Sequence, residues 1–248
     1  MKASLAAVAL AASAISSADA GFVGFVASVR TVGAYTVIDV FAGVSNPGDR
    51  FVSIDGLNAS TTLAGGFVQA AGTASKGWRP ATSVPWQTRN SLDSFMTAGT
   101  FSGGAYAGEF FASANTSADA NFTSVAGAWA GTAGSAPATT VPANVGWFTS
   151  DAASVDNQAE SLAGLVGRVD ASGASGAQWG IWVSHLVVQG TGYIGGLTTP
   201  NNVFYGGFGT VRDANTGQDS RGYSQFIPAP GALALLVGAA GFRSRRRH

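Results

Sequence analysis

The sequence predicts an all-β body, built as a single β-sandwich or jelly-roll-like domain over residues 21–227. In this range Val outnumbers Leu by 21 to 7, and β-branched side chains favour strands because they lose rotamer freedom in a helix. Short apolar segments are separated by clusters of Gly, Asn, Asp and Pro, and no long amphipathic helical pattern occurs. Short strands between such turns are typical of a sandwich or jelly roll.

Five segments carry the strand pattern. Residues 178–188 are the densest apolar run, which indicates a central strand covered on both faces. Asn46-Pro-Gly-Asp49 and residues 212–217 are turn signals that bound neighbouring segments. The predicted strands are residues 34–44, 50–55, 162–170, 178–188 and 203–211.

Composition and charge exclude several classes of protein. The chain has 248 residues, 13 of them basic and 13 acidic, and no Cys. The length suits one all-β domain, and the lack of Cys excludes disulfides and Cys-ligated metal or redox sites. Residues 21–227 hold 8 basic against 12 acidic residues. Because the body is not basic, we expect no nucleic-acid partner.

Residues 1–20 have the order of a secretory signal peptide. Lys2 supplies a positive charge, and an apolar stretch of small residues follows over residues 5–15. Ala18 and Ala20 give a small-x-small site, which predicts cleavage after Ala20. A buried N-terminal helix is the alternative interpretation.

The C-terminal segment, residues 228–248, has three parts. A Pro-rich motif precedes an apolar run over residues 232–242, for which we expect a short hydrophobic helix. About a dozen residues are few for a hydrocarbon layer of ~30 Å, and a terminal Arg cluster would stay on the cytoplasmic side. Together these features predict transient membrane anchoring, with a buried core helix as the alternative. The motif is Pro228, Ala229, Pro230 and Gly231, and the basic cluster is Arg243, Arg245, Arg246 and Arg247.

This tail resembles the PEP-CTERM sorting domain over about 21 residues. Pro228 and Pro230 match the two prolines of the family's motif, with Ala229 where the family has Glu, and the apolar run and the Arg cluster match its other two parts. The resemblance implies a bacterial, exported protein handled by the export machinery and by an exosortase-like processing enzyme. It also implies an association with the cell surface or with extracellular polysaccharide.

No catalytic residue is predicted from the body. Ser184 and His185 are neighbours in a strand, so their side chains point to opposite faces and cannot form a nucleophile–base pair. Asp39 or Asp170 could approach His185 in three dimensions. Residues 190–195 match G-x-G-x-x-G, but the sequence that follows cannot form the helix a dinucleotide site needs.

Two groups are candidate ligand contacts. Trp78 and Trp86 lie in a predicted loop and could stack on sugars, although such Trp residues more often pack the loop down. Asp213, Asn215 and Asp219 place oxygen atoms at the spacing of a calcium loop, but Asn-Thr-Gly there also fits an ordinary hairpin turn, which we favour. We therefore expect no cofactor and no metal.

The sequence thus predicts an exported, non-enzymatic protein at the cell surface or in the extracellular matrix, with a structural or adhesive role. A carbohydrate-binding module is the alternative, and a divergent glycoside hydrolase using two of the dispersed carboxylates is a third hypothesis.

Overall fold

The computed structural model describes residues 21–69, 78, 91–97, 99, 140–141, 143–148, 159–195 and 201–226. These residues form ten strands and no helix, which confirms the predicted all-β class. A search of the same residues finds no helical segment with the length and apolarity to cross a membrane. The predicted signal peptide and the predicted C-terminal helix lie outside the described residues.

The ten strands differ greatly in length, and the five long ones carry the fold. The strands are β1 (Phe22–Val32), β2 (Tyr35–Val44), β3 (Arg50–Thr61), β4 (Phe95–Met96), β5 (Val145–Phe148), β6 (Glu160–Ser161), β7 (Arg168–Asp170), β8 (Trp179–Gln189), β9 (Val203–Arg212) and β10 (Asp219–Gln225).

The first sheet has the strand order β4-β8-β2-β1-β7, with β6 also paired to β8, and every pairing is antiparallel. Strand β8 is buried along almost its whole length, as expected for a strand covered on both faces. The neighbouring β2 is equally buried. Polar side chains on these two strands therefore need partners inside the protein.

The second sheet has the order β10-β9-β3-β5 and is also antiparallel. Along β9 the odd-numbered residues are buried, and the even-numbered ones other than Gly206 are more exposed, the alternation of a sheet with one face toward the core. Strand β3 contains two bulges against β9. At the second bulge Gly56 adopts a positive φ of 58°, which favours glycine.

The core lies between the two sheets and is built on aromatic side chains. The ring of Tyr205 on β9 packs edge-on against Phe25 on β1 at a centroid distance of 5.1 Å, and it also contacts Phe226. Phe22 lies against Gly209 and Gly222, where a Cβ atom would come within 3 Å of the ring. Glycine at these two positions therefore makes room for the Phe22 ring between the sheets.

The structure corrects one predicted strand and adds others. Residues 162–170 were expected to be a strand, but only Arg168–Asp170 is one, and the preceding residues form turns. The physical reason is that Gly164 and Gly167 adopt positive φ angles of 75° and 57°, which end an extended chain. Among the strands that the sequence did not indicate are β1 and β10.

Candidate functional site

Arg30, Asp39 and His185 form a polar cluster on the face of the first sheet that points away from the second. The strand register places Asp39 directly opposite His185, so their side chains share a face. His185 Nδ1 lies 2.6 Å from Asp39 Oδ1, and Arg30 Nη1 donates a hydrogen bond to Asp39 Oδ2. Both Asp39 and His185 are fully buried.

The second ring nitrogen of His185 is engaged as well. Nε2 lies 2.9 Å from the carbonyl oxygen of Ser91. The ring of Phe95 stacks on the imidazole at 4.8 Å, and Trp182 packs against it edge-on at 5.7 Å. A general base needs a ring nitrogen within reach of a substrate proton. In this arrangement both ring nitrogens contact groups of the protein itself. These contacts connect β1, β2, β8 and the segment before β4.

Ser184 points to the opposite face, into the core between the sheets. Its hydroxyl is hydrogen-bonded to Tyr205 Oη at 2.8 Å and donates to Met96 Sδ at 3.2 Å. Burial raises the pKa of the Tyr205 phenol, and the hydrogen bond with Ser184 opposes that shift only in part. The predicted separation of Ser184 from His185 is therefore what the structure shows.

The glycine motif after β8 forms a turn that Thr36 holds in place. Thr36 Oγ1 donates to the carbonyl of Gly190 at 2.7 Å and accepts from the backbone N–H of Gly192 at 2.8 Å. Ile194 then forms a parallel bridge with Val203 at the start of β9. Residues 179–195 and 201–212 contain no helix, and residues 196–200, which follow the motif directly, lie outside the described residues.

Two candidate calcium residues, Asp213 and Asn215, lie in the turn between β9 and β10, and the third, Asp219, begins β10. Asp213 Oδ1 accepts the backbone N–H groups of Thr216 and Asn215 at 2.6 and 2.7 Å, and these bonds hold the pKa of that carboxyl below its usual range. Asp219 instead pairs with Arg212 at 2.8 and 3.1 Å, which lowers the pKa of Asp219. The geometry is that of a side-chain-stabilised turn.

Trp78 is the one candidate sugar contact that the structure describes. Its side chain is fully buried, its ring packs edge-on against Phe67 at 5.6 Å, and its Nε1 donates to the carbonyl of Thr140 at 3.3 Å. A buried ring offers no face to a sugar. The prediction that Trp78 contacts a ligand is therefore corrected, and Trp78 is a core residue. Trp86 lies outside the described residues.

The remaining predicted sites are also outside the described residues. Among the described residues no group of three His, Asp or Glu side chains could hold a metal ion. Asp170 is engaged by Arg168 at 2.8 Å rather than by His185. The sites outside are Ala18, Ala20, Pro228, Ala229, Pro230, Gly231, Arg243, Arg245, Arg246 and Arg247.

Sequence reasoning did not find Arg30, Tyr205 or Met96 as partners of these buried groups. The Arg30–Asp39 pair spans a tight hairpin between β1 and β2. A sequence prediction that included β1 as a strand would therefore have placed the two residues close together. The contacts of Ser184 reach Met96, 88 positions away in the chain, and Tyr205 in the other sheet, so they leave no such local signal.

The comparisons with known proteins add no relative to this picture. No protein-family model, no curated protein and no solved structure matches the chain.

Proposed function

We propose that this chain is an exported, non-catalytic protein of the cell surface or extracellular matrix, sorted by its PEP-CTERM-like tail. In this proposal residues 1–20 are removed as a signal peptide, residues 21–227 form one β-sandwich-like extracellular domain, and residues 228–248 anchor the chain transiently. Its partners are the export machinery and an exosortase-like processing enzyme. The terminal sequence patterns carry the sorting part.

One observation carries the non-catalytic part of the proposal. Among the described residues, Ser184, His185 and Asp39 are the reactive groups that the sequence singles out, and all three are fully buried and hydrogen-bonded within the protein. A catalytic side chain must reach a substrate. Side chains engaged in this way serve the stability of a scaffold, which fits a structural or adhesive role.

The sorting part is tested by following the full chain in its native producer. We expect the wild-type body in the surface or medium fraction, shortened at both ends. Replacing Arg243, Arg245, Arg246 and Arg247 by Gln removes the charge that holds the tail on the cytoplasmic side. We expect this variant to lose C-terminal processing.

Arg212→Gln and Arg221→Gln together serve as a control, because they remove exposed Arg residues from the body instead. Normal processing of the tail variant, or equal loss in the control, would count against tail-directed sorting.

The alternative, a carbohydrate-binding module, is favoured by the aromatic side chains on the outward face of the second sheet, and not by the buried Trp78.

A further inference from the structure

The outward face of the second sheet carries aromatic and paired charged side chains. Strand β9 contributes Phe204 and Phe208 at even-numbered positions, where its side chains point away from the core. The register places Asp55 of β3 and Tyr223 of β10 on either side of Phe208. We call this surface the aromatic face, and we define it by Asp55, Phe204, Phe208, Arg221, Tyr223 and Gln225.

Tyr223 is the exposed centre of the aromatic face. Its side chain is 53% exposed, a high value for a large aromatic residue. The ring packs edge-on against Phe208 at 5.1 Å, and its hydroxyl donates to Gln225 Oε1 at 2.9 Å. The hydroxyl lies beside Gly206, where a Cβ atom would come within 3.3 Å of it. Gly206 thus leaves room for the tyrosine to extend along the sheet.

Arg221 closes one end of the aromatic face. Its guanidinium lies 3.9 Å from the centroid of the Phe208 ring, a stacked cation–π arrangement. Arg221 reaches across β9 to Asp55, and its Nε lies 3.1 Å from Asp55 Oδ2. The charge of Arg221 is therefore balanced on the face itself, as Asp219 balances Arg212 beside it.

From this geometry we infer that the aromatic face binds a neutral polysaccharide chain. The C–H face of a sugar ring carries partial positive charge and packs on the negative face of an aromatic ring. Hydroxyl groups at the sugar's edge can bond to Gln225 and to the exposed atoms of the Asp55–Arg221 pair. This inference deepens the proposed function, on which it rests for the presence of the body outside the cell.

Charge and shape argue for this occupant. A strongly charged ligand would have to compete with the internal ion pairs, whereas a neutral polyhydroxylated chain leaves both intact. Phe204 lies four residues from Phe208, the register partner of the exposed Tyr223, or about 13 Å along the strand, so the face suits several consecutive units of an extended chain. Aromatic side chains in exposed patches of this kind mark binding surfaces.

The test is affinity electrophoresis of the full chain in native gels containing a soluble neutral polysaccharide, hydroxyethylcellulose, dextran or galactomannan. A parallel gel contains the acidic polysaccharide alginate. The protein is kept in a polyoxyethylene detergent, because the tail is apolar and a sugar-based detergent would compete. We expect retardation in at least one neutral gel.

The variants separate ring stacking from general effects. Tyr223→Ala should weaken the retarding interaction about tenfold, as expected when an aromatic anchor is truncated, and Tyr223→Phe should retain it. Tyr223→Thr gives a second truncation that keeps a strand-favouring side chain. Val166→Ala is the matched control, since Val166 is 66% exposed and lies in the turn before β7 of the other sheet. Thermal unfolding of each variant verifies that it is folded.

Three results would overturn the inference. The first is no retardation in any neutral gel, and the second is equal retardation of the wild type and both truncated variants. The third is a dimer that Tyr223→Ala converts to a monomer, because the face would then be a contact between copies of the chain. The assay uses purified protein, so its failure leaves the sorting proposal standing. Likewise, failed export in the producer would leave the measured binding unchanged.

Discussion

Nδ1 of His185 lies 2.6 Å from Oδ1 of Asp39, although the two residues are 146 positions apart in the chain. Removing Asp39 would leave His185 and Arg30 without their shared carboxylate in a buried setting. We therefore expect Asp39→Ala to lower the free energy of unfolding by about 3–5 kcal/mol, measured by urea unfolding.

Asp55→Ala is the matched control for Asp39→Ala. Asp55 also pairs with an Arg of its own sheet, Arg221 on the far side of β9, but that pair is about half exposed. An exposed pair contributes only about 0–1 kcal/mol. Equal losses in the two variants would contradict the structural role of the Arg30–Asp39–His185 cluster.

We expect the free energy of unfolding to fall at high pH because of Tyr205. Burial raises the pKa of Tyr205 in the folded protein above its ordinary value, so the unfolded chain releases this proton first. The contribution of Tyr205 is complete below about pH 10 and is lost as pH rises toward the folded-state value, by up to ~1.4 kcal/mol per pH unit. Urea unfolding between pH 8 and pH 11 measures this slope.

The slope should be smaller in Tyr205→Phe than in the wild-type protein. If Tyr205→Phe keeps the wild-type slope, another group causes the alkaline loss.

We expect substitutions of Trp78 to change the stability of the fold and not the binding of sugars. Trp78→Ala removes a fully buried ring that packs on Phe67, so we expect a loss of about 3–5 kcal/mol in the free energy of unfolding. Trp78→Phe keeps an aromatic ring and should remain folded with unchanged retardation in polysaccharide gels. If the folded Trp78→Phe variant loses retardation, Trp78 is a ligand contact after all.

Gly167 and Gly33 offer a matched test of the turn between β6 and β7. Both have φ angles near +60°, so an Ala at either position pays a similar backbone cost of about 1–2 kcal/mol. A Cβ at Gly167 would lie 2.0 Å from the carbonyl oxygen of Val29, whereas nothing lies within 4 Å at Gly33. Gly167→Ala should therefore lower the melting temperature clearly more than Gly33→Ala, and similar shifts would argue against the β1–β7 contact.

The sequence predicted the central strands β2 and β8, which are buried on both faces, because their apolar composition is independent of register. Strand β8 was recognised as central from its dense apolar run. Strand β10 was not, since an edge strand needs few inward apolar residues, and Ser224 is its only side chain buried in the core. The strand predicted over residues 162–170 was mostly wrong. Leu162 and Val169 gave the segment an apolar pattern, but the glycines between them turn the chain.

The candidate site was only partly accessible to sequence reasoning. Asp39 and Asp170 were both possible partners of His185, and the choice depends on strand order, which apolar patterning does not encode. The aromatic face was missed for a related reason. Phe204, Phe208 and Tyr223 lie on two strands, and only the β9–β10 register brings them to one side.

We propose that the body is exported and freed from both terminal segments. The decisive measurement is the intact mass of the protein from the native producer's membrane, surface and medium fractions. We expect a species that begins at Gly21 and ends near Pro228 in the surface or medium fraction. A full-length chain, still carrying residues 1–20 and found in the cytoplasm, would contradict it.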